Sequence, residues 1–210
     1  MTKTSSYIAA ALFFAGVSNV NAASSVDLSV TGSITPAACM PLLSNNGVVD
    51  YGKISVKDLG PNATPMPPVT LQVSVNCDAA TFFAINIKDN RENTVGGINP
   101  SRSYFGLGLG ENDHKIGWYM LKMNNALADG AVLPMVESVN GHTWFPASSN
   151  TVWQPGWMRS VTGPGSPDYA PVSMQTFVAD LQVSSTIYKP KELSEEMPID
   201  GSATLDIVYL

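Results

Sequence analysis

The residues here that could do chemistry are few: two cysteines, two histidines, some clustered carboxylates and a tryptophan-rich loop. Cys39 and Cys77 are an even pair, which in an exported chain reads as one disulfide. A reactive or metal-bound thiolate pair is the alternative, but neither a Cys-x-x-Cys spacing nor a histidine cluster accompanies them. Glu111, Asp113 and His114 carry cation-binding atoms but sit in an Asn/Gly-rich stretch that reads as an exposed turn. The stretch Gly47-Val-Val-Asp-Tyr-Gly52-Lys53-Ile54 falls short of a phosphate-binding loop, since Ile54 has no hydroxyl for magnesium and no helix follows. Gly106-Leu-Gly108-Leu-Gly110 lacks the spacing and βαβ setting of a dinucleotide site, and reads as a strand whose glycines allow close packing. No nucleophile-elbow, zinc-protease or EF-hand pattern occurs. Paired carboxylates can hydrolyse glycosides without a motif, but no such pair can be named. The expectation is a protein that is not an enzyme and has no cofactor and no metal.

The segment His142-Thr-Trp144-Phe-Pro-Ala-Ser-Ser-Asn-Thr-Val-Trp153-Gln-Pro-Gly-Trp157 admits two readings. Trp144, Trp153 and Trp157 in exposed loops would stack on sugar faces as a glycan contact. Alternatively they fill the core beneath long loops, since aromatic rings bury large areas.

Whatever these residues do, the rest of the sequence must position them. The opening MTKTSSYIAAALFFAGVSNVNA puts Lys3 before an apolar run and ends on Val20-Asn21-Ala22, the pattern of a secretory signal peptide. Its apolar run is too short to span a bilayer. Removing 22 residues from 210 leaves 188, enough for one well-buried domain, and the loss of Lys3 takes the net charge from −6 to −7. An acidic surface argues against a nucleic-acid partner.

Gly 17 and Pro 15 punctuate short β-type runs at Val26–Ile34, Val48–Val56, Val69–Asn76, Phe82–Lys88, Lys115–Met123, Thr176–Thr186 and Ala203–Leu210. Residues 90–171 read as long loops with shorter strands. The best helix signal, Lys191–Met197, is one or two turns long. One disulfide, many short strands and no repeat predict an all-β antiparallel sandwich.

Both ends of the mature chain alternate. Ala203, Leu205, Ile207 and Tyr209 share one face of the final stretch, and Val26, Leu28, Val30 and Ile34 share one face of the first. A first strand inserted beside the last strand of another copy makes a head-to-tail contact that does not close, and so builds a filament.

Val30-Thr-Gly32-Ser-Ile34-Thr-Pro-Ala-Ala38-Cys39, then Val48-Val-Asp-Tyr-Gly52, the run Val69–Cys77 and the alternating end with penultimate Tyr209 resemble chaperone–usher fimbrial (pilin) subunits, within them the β-type fimbrial major-subunit-like group. The resemblance implies an incomplete immunoglobulin-like antiparallel β-sandwich completed by a donated strand. It divides the chain into a signal peptide (1–22), a donor-strand extension (23–34) and a pilin-like domain (35–210). It makes Val26, Leu28 and Val30 donor pegs, and Ala203, Leu205, Ile207 and Tyr209 the acceptor strand. Leu210 would offer its carboxylate to the chaperone, and Cys39 and Cys77 would tie the first strand to the second. The implied role is a structural fimbrial subunit supporting cell adhesion, exported through the periplasm to the cell surface. Its implied partners are a periplasmic chaperone, an outer-membrane usher and neighbouring subunits. The competing expectation is a self-contained secreted β-sandwich that binds glycans through Trp144, Trp153 and Trp157.

Overall fold

The computed structural model describes Leu28, Ser29, Thr31 and residues 38–210 other than Ile98 and Ser194. Of the two units into which the chain divides, Met1–Ile34 and Thr35–Leu210, the second holds every strand assigned among the described residues. In chain order these are β1 (Cys39–Leu43), β2 (Ala63–Pro65), β3 (Val69–Thr81), β4 (Phe83–Asp89), β5 (Phe105–Gly106), β6 (Gly117–Ala128), β7 (Ala131–Val132), β8 (Met135–Ser138), β9 (Phe145–Pro146), β10 (Val152–Trp153), β11 (Met158–Val161), β12 (Met174–Tyr188) and β13 (Ala203–Tyr209). They form two antiparallel sheets. One runs β1-β3-β12-β6-β10, with β2 beside β12 and β5 and β7 beside β6; the other runs β13-β4-β11-β8-β9. The fold is the all-β antiparallel sandwich that the alternating runs predict.

Period-2 alternation builds the interior. Val73 and Val75 of β3, Leu121 and Met123 of β6, and Phe177, Ala179 and Leu181 of β12 are buried on the inner face of the first sheet. Phe83, Ile85 and Ile87 of β4 meet them from the second. Phe83 and Phe177 touch edge to face across the gap, ring centroids 6.5 Å apart.

Cys39 and Cys77 stand opposite each other in the β1–β3 register and are joined as a disulfide. A second tie is polar. Arg159 of β11 faces Glu137 of β8 in register, and its Nη2 donates to Glu137 Oε2 at 3.1 Å and to the Thr151 carbonyl at 2.9 Å. Its guanidinium lies over the ring of Trp153 in the other sheet, 5.4 Å from the centroid. Burial pulls the Arg159 pKa below its usual value, and the Glu137 carboxylate opposes that pull.

Two expected elements take other forms. Residues 48–56 are not a strand: Asn45, Asn46, Gly47 and Gly52 all have positive φ, and the Gly52 N–H turns back to Asp50 Oδ1 at 2.7 Å. The segment's apolar side chains, Val49 and Ile54, still pack on the core, which is why it reads as alternating. The stretch from Lys191 to Met197 is not helical at any described residue. Pro198 disfavours helix at Met197 before it, and the Glu195 N–H is taken by Glu111 Oε1 at 3.0 Å.

Glu137→Gln keeps the shape but leaves the Arg159 charge buried without its counter-ion. Chemical denaturation should show a loss of about 3–5 kcal/mol; a loss below about 1 kcal/mol would show that the pair holds nothing together. Replacing both cysteines by Ala opens a loop closed over 38 residues, and the same measurement should show a loss of about 4 kcal/mol.

Candidate functional site

Among the described residues, strand β13 has one hydrogen-bonded neighbour. Its register with β4 runs from Ala203↔Asp89 to Tyr209↔Phe83. Bonds just past each end set its phase: the Asn90 N–H donates to the Ser202 carbonyl at 3.0 Å, and the Leu210 N–H to the Phe82 carbonyl at 3.1 Å. Alternate residues of an antiparallel strand bond to one side. The even-numbered residues therefore face β4, and the N–H and C=O groups of Ala203, Leu205, Ile207 and Tyr209 point to the other edge. Among the described residues no strand pairs there.

Those odd-numbered residues also carry the inward side chains. Ala203, Leu205 and Ile207 pack on the main core yet are only half-buried, while Thr204 and Asp206 face outward. Between β13 and the segment from Leu43 to Tyr51 lies a cavity of about 250 Å³, lined among others by Leu71, Ile87, Leu121, Leu181 and Val183. A second cavity of about 430 Å³ shares Val49, Tyr51 and Ile199 with the first and continues past Ile54 and Leu59 to Ile187. The two adjoin as one groove: its first part runs beside Ala203 and Leu205 at the start of β13, and its second carries Asp50, Lys53 and Glu196 among its apolar residues.

Specific bonds hold its walls. The Tyr51 hydroxyl donates to Ser185 Oγ at 3.0 Å, keeping the irregular wall on β12. The Cys39 N–H donates to the Tyr209 hydroxyl at 3.0 Å, tying β1 to the end of β13. Arg91 grips Asp200 Oδ2 through Nη2 at 2.6 Å and Nε at 2.9 Å, fixing the entry to β13. Gly201 sits so close to the core there that a Cβ would lie 2.9 Å from Leu107 Cδ2.

The other three sheet margins are blunted. In β1 the phase set by the Asp78 N–H to Ala38 carbonyl bond turns odd-numbered residues outward, so Pro41 stands on the outer edge with no N–H to offer. The margins β9 and β10 are two residues long, and β9 ends on Pro146. Among the margins of the described residues, β13 is the one that is both long and free of proline.

Of the expected site residues, Cys39 and Cys77 are joined, and Ala203, Leu205, Ile207 and Tyr209 lie on one strand at the groove. Leu210 follows it, part-exposed. Val26 and Val30 lie outside the described residues; Leu28 is exposed. The tryptophans do not form an exposed platform, which corrects the glycan contact proposed for them. Trp153 is fully buried in the main core, where its Nε1 donates to the Trp157 carbonyl at 2.9 Å, and Trp157 is half-buried beside it. Trp144 is buried in a separate cluster, covering Ala84, Val136 and Met158. The rings face inward because β8 and β11 have apolar residues on both faces and need a cover on each. The groove wall at Val49, Tyr51 and Ile54 was legible only as an alternating run, and nothing local in the sequence marks Pro41 as an edge guard.

Comparison with known proteins finds one family model and two relatives. A family model described as a protein of unknown function (DUF1120) matches residues 28–104. The chain is similar to two proteins of Escherichia coli (strain K12) along nearly the whole of each. One is the uncharacterized protein YhcF, 27% identical over 235 residues, covering 97% of this chain and 97% of that one. The other is the protein GltF, 26% identical over 252 residues, covering 99% and 97%.

Proposed function

We propose that this chain is a non-enzymatic structural subunit of a bacterial surface fimbria, exported through the periplasm and polymerised by donor-strand exchange. The observation that carries the reading is the edge of β13 that no described strand pairs, where half-buried Ala203 and Leu205 line the groove. An extended segment added there gains backbone bonds from Ala203, Leu205, Ile207 and Tyr209 and buries alternate side chains, the mode of strand addition to a sheet edge. Val26, Leu28 and Val30 of a second copy have that alternation. Each well-buried peg is worth roughly 1.5–3 kcal/mol. Left empty, the same edge is prone to aggregation, and a periplasmic chaperone that lends a strand until the usher exchanges it removes that hazard.

The test is thermal unfolding. A variant that lacks Ala23–Ile34 at its start and carries the same segment, ASSVDLSVTGSI, after Leu210 through a flexible linker should melt at least ~10 °C above the mature chain and stay monomeric, since each kcal/mol is worth about 2–4 °C at this size. Equal melting would mean that the groove takes no strand, and the proposal fails. Leu205→Arg in the linked variant places a charge under the donated strand and should abolish most of the gain. Deleting Ala23–Thr31 should give a subunit that accepts a donor but cannot donate, so it should appear only at one end of fibres seen by electron microscopy; internal incorporation would overturn the reading.

A further inference from the structure

We propose that a polar cleft beside Tyr188 binds an acidic oligosaccharide, a short sugar chain carrying a carboxylate. The cleft has a volume of about 950 Å³ and adjoins the β13 groove at Pro190 and Met197. That is within the size range of pockets for small ligands, and five charged side chains line it, Glu111, Lys115, Lys189, Lys191 and Glu192, against three in the groove.

Three of the chain's eight lysines line it: Lys115, Lys189 and Lys191. This clustering occurs on a protein whose net charge is −6. Lys115 and Lys191 are exposed and make no ion pair among the described residues. Lys189 is anchored, its Nζ donating to the Leu59 carbonyl at 3.3 Å. Three lysines against two glutamates leave the cleft with a positive balance that an anion would offset. A dense polyanion fits poorly, because Glu111 and Glu192 line the same cleft. A sugar chain with a single carboxylate uses both signs. Its hydroxyls donate to carboxylates and accept from ammonium groups, while its own carboxylate takes the surplus positive charge.

An aromatic wall is already braced. Tyr188 lines the cleft, and its ring rests on the Gly96–Gly97 backbone, where a Cβ on Gly96 would lie 2.8 Å from the ring carbons. Its hydroxyl accepts the Trp118 indole N–H at 3.3 Å, and Trp118 is stacked on Tyr104 with centroids 3.9 Å apart and planes 3° from parallel. A ring held from both sides loses little freedom when a ligand packs on it. This aromatic group is separate from Trp144, Trp153 and Trp157, and the proposal does not depend on fibre assembly.

The test is calorimetric titration of the full, disulfide-bonded chain with sialyllactose, a trisaccharide with one carboxylate, with lactose and acetate as its neutral and sugar-free counterparts. Saturable binding of sialyllactose, with a change in tryptophan fluorescence from Trp118, is expected. Lys115→Gln with Lys191→Gln, both at exposed positions, should weaken it roughly tenfold or more, and lactose should bind at least that much more weakly than sialyllactose. No binding at millimolar sialyllactose would overturn the proposal. So would equal binding of lactose, equal binding of acetate, or binding untouched by the double substitution.

Discussion

A strand at the margin of a sheet satisfies half of its backbone and leaves the other half to water or to a partner, and in this sandwich that margin is β13. Every feature around it follows from holding such a strand extended with one neighbour. The β4 ladder fixes its phase, Arg91 holds its entry through Asp200, and the Tyr209 hydroxyl receives the Cys39 N–H at its far end. Without these ties a half-paired strand of seven residues would fray, because a lone ladder offers little against the chain entropy lost. The ties act on the two ends, one of them from β1 itself, and between them no described strand pairs with the outer edge.

The sandwich stays open there because it is clamped elsewhere. The disulfide holds β1 against β3, so the wall opposite β13 cannot collapse into the groove. Away from the groove, the Arg159–Glu137 pair joins β11 to β8, and the guanidinium reaches Trp153 of the facing sheet. A buried ion pair is no cheaper than an apolar contact of similar shape. Its geometry, however, fixes which residues oppose each other, and Arg159 sits directly opposite Glu137 in the β11–β8 register.

Much of this was legible in the sequence, for a reason visible in the strands themselves. Where one face is core and the other solvent, as in β3, the period-2 pattern survives and the strand can be read. In β8 and β11 both faces are covered, one by the core and one by Trp144, and a charged residue sits mid-strand in each, so Met-Val-Glu-Ser and Met-Arg-Ser-Val show no alternation. The tryptophans were ambiguous for the same reason, since their destination depends on a second apolar face that has no local signature. Residues 48–56 misled in the opposite direction: a groove wall packs its apolar residues inward from an irregular backbone, and alternation alone cannot separate that from a strand. The open edge itself was foreshadowed by the alternating end, but the blunting of the other margins appears only once Pro41 and Pro146 are placed at their edges.

The direction of the occupant follows from where β1 begins. The Cys39 N–H meets Tyr209, at the C-terminal end of β13. A segment of the same chain leading straight into Cys39 would therefore run beside β13 in the same direction, giving a parallel pair. To lie antiparallel it would have to cross the groove and then return to Cys39 over a length of about 20 Å, spending most of the residues between the pegs and the disulfide. A segment from a second copy carries no such tether and is free to pair antiparallel, the more stable arrangement per residue. Pro41 on the opposite wall withholds a donor at mid-length, so an inserted strand takes its main ladder from β13. On these grounds an antiparallel partner for β13 is one that carries no tether at Cys39.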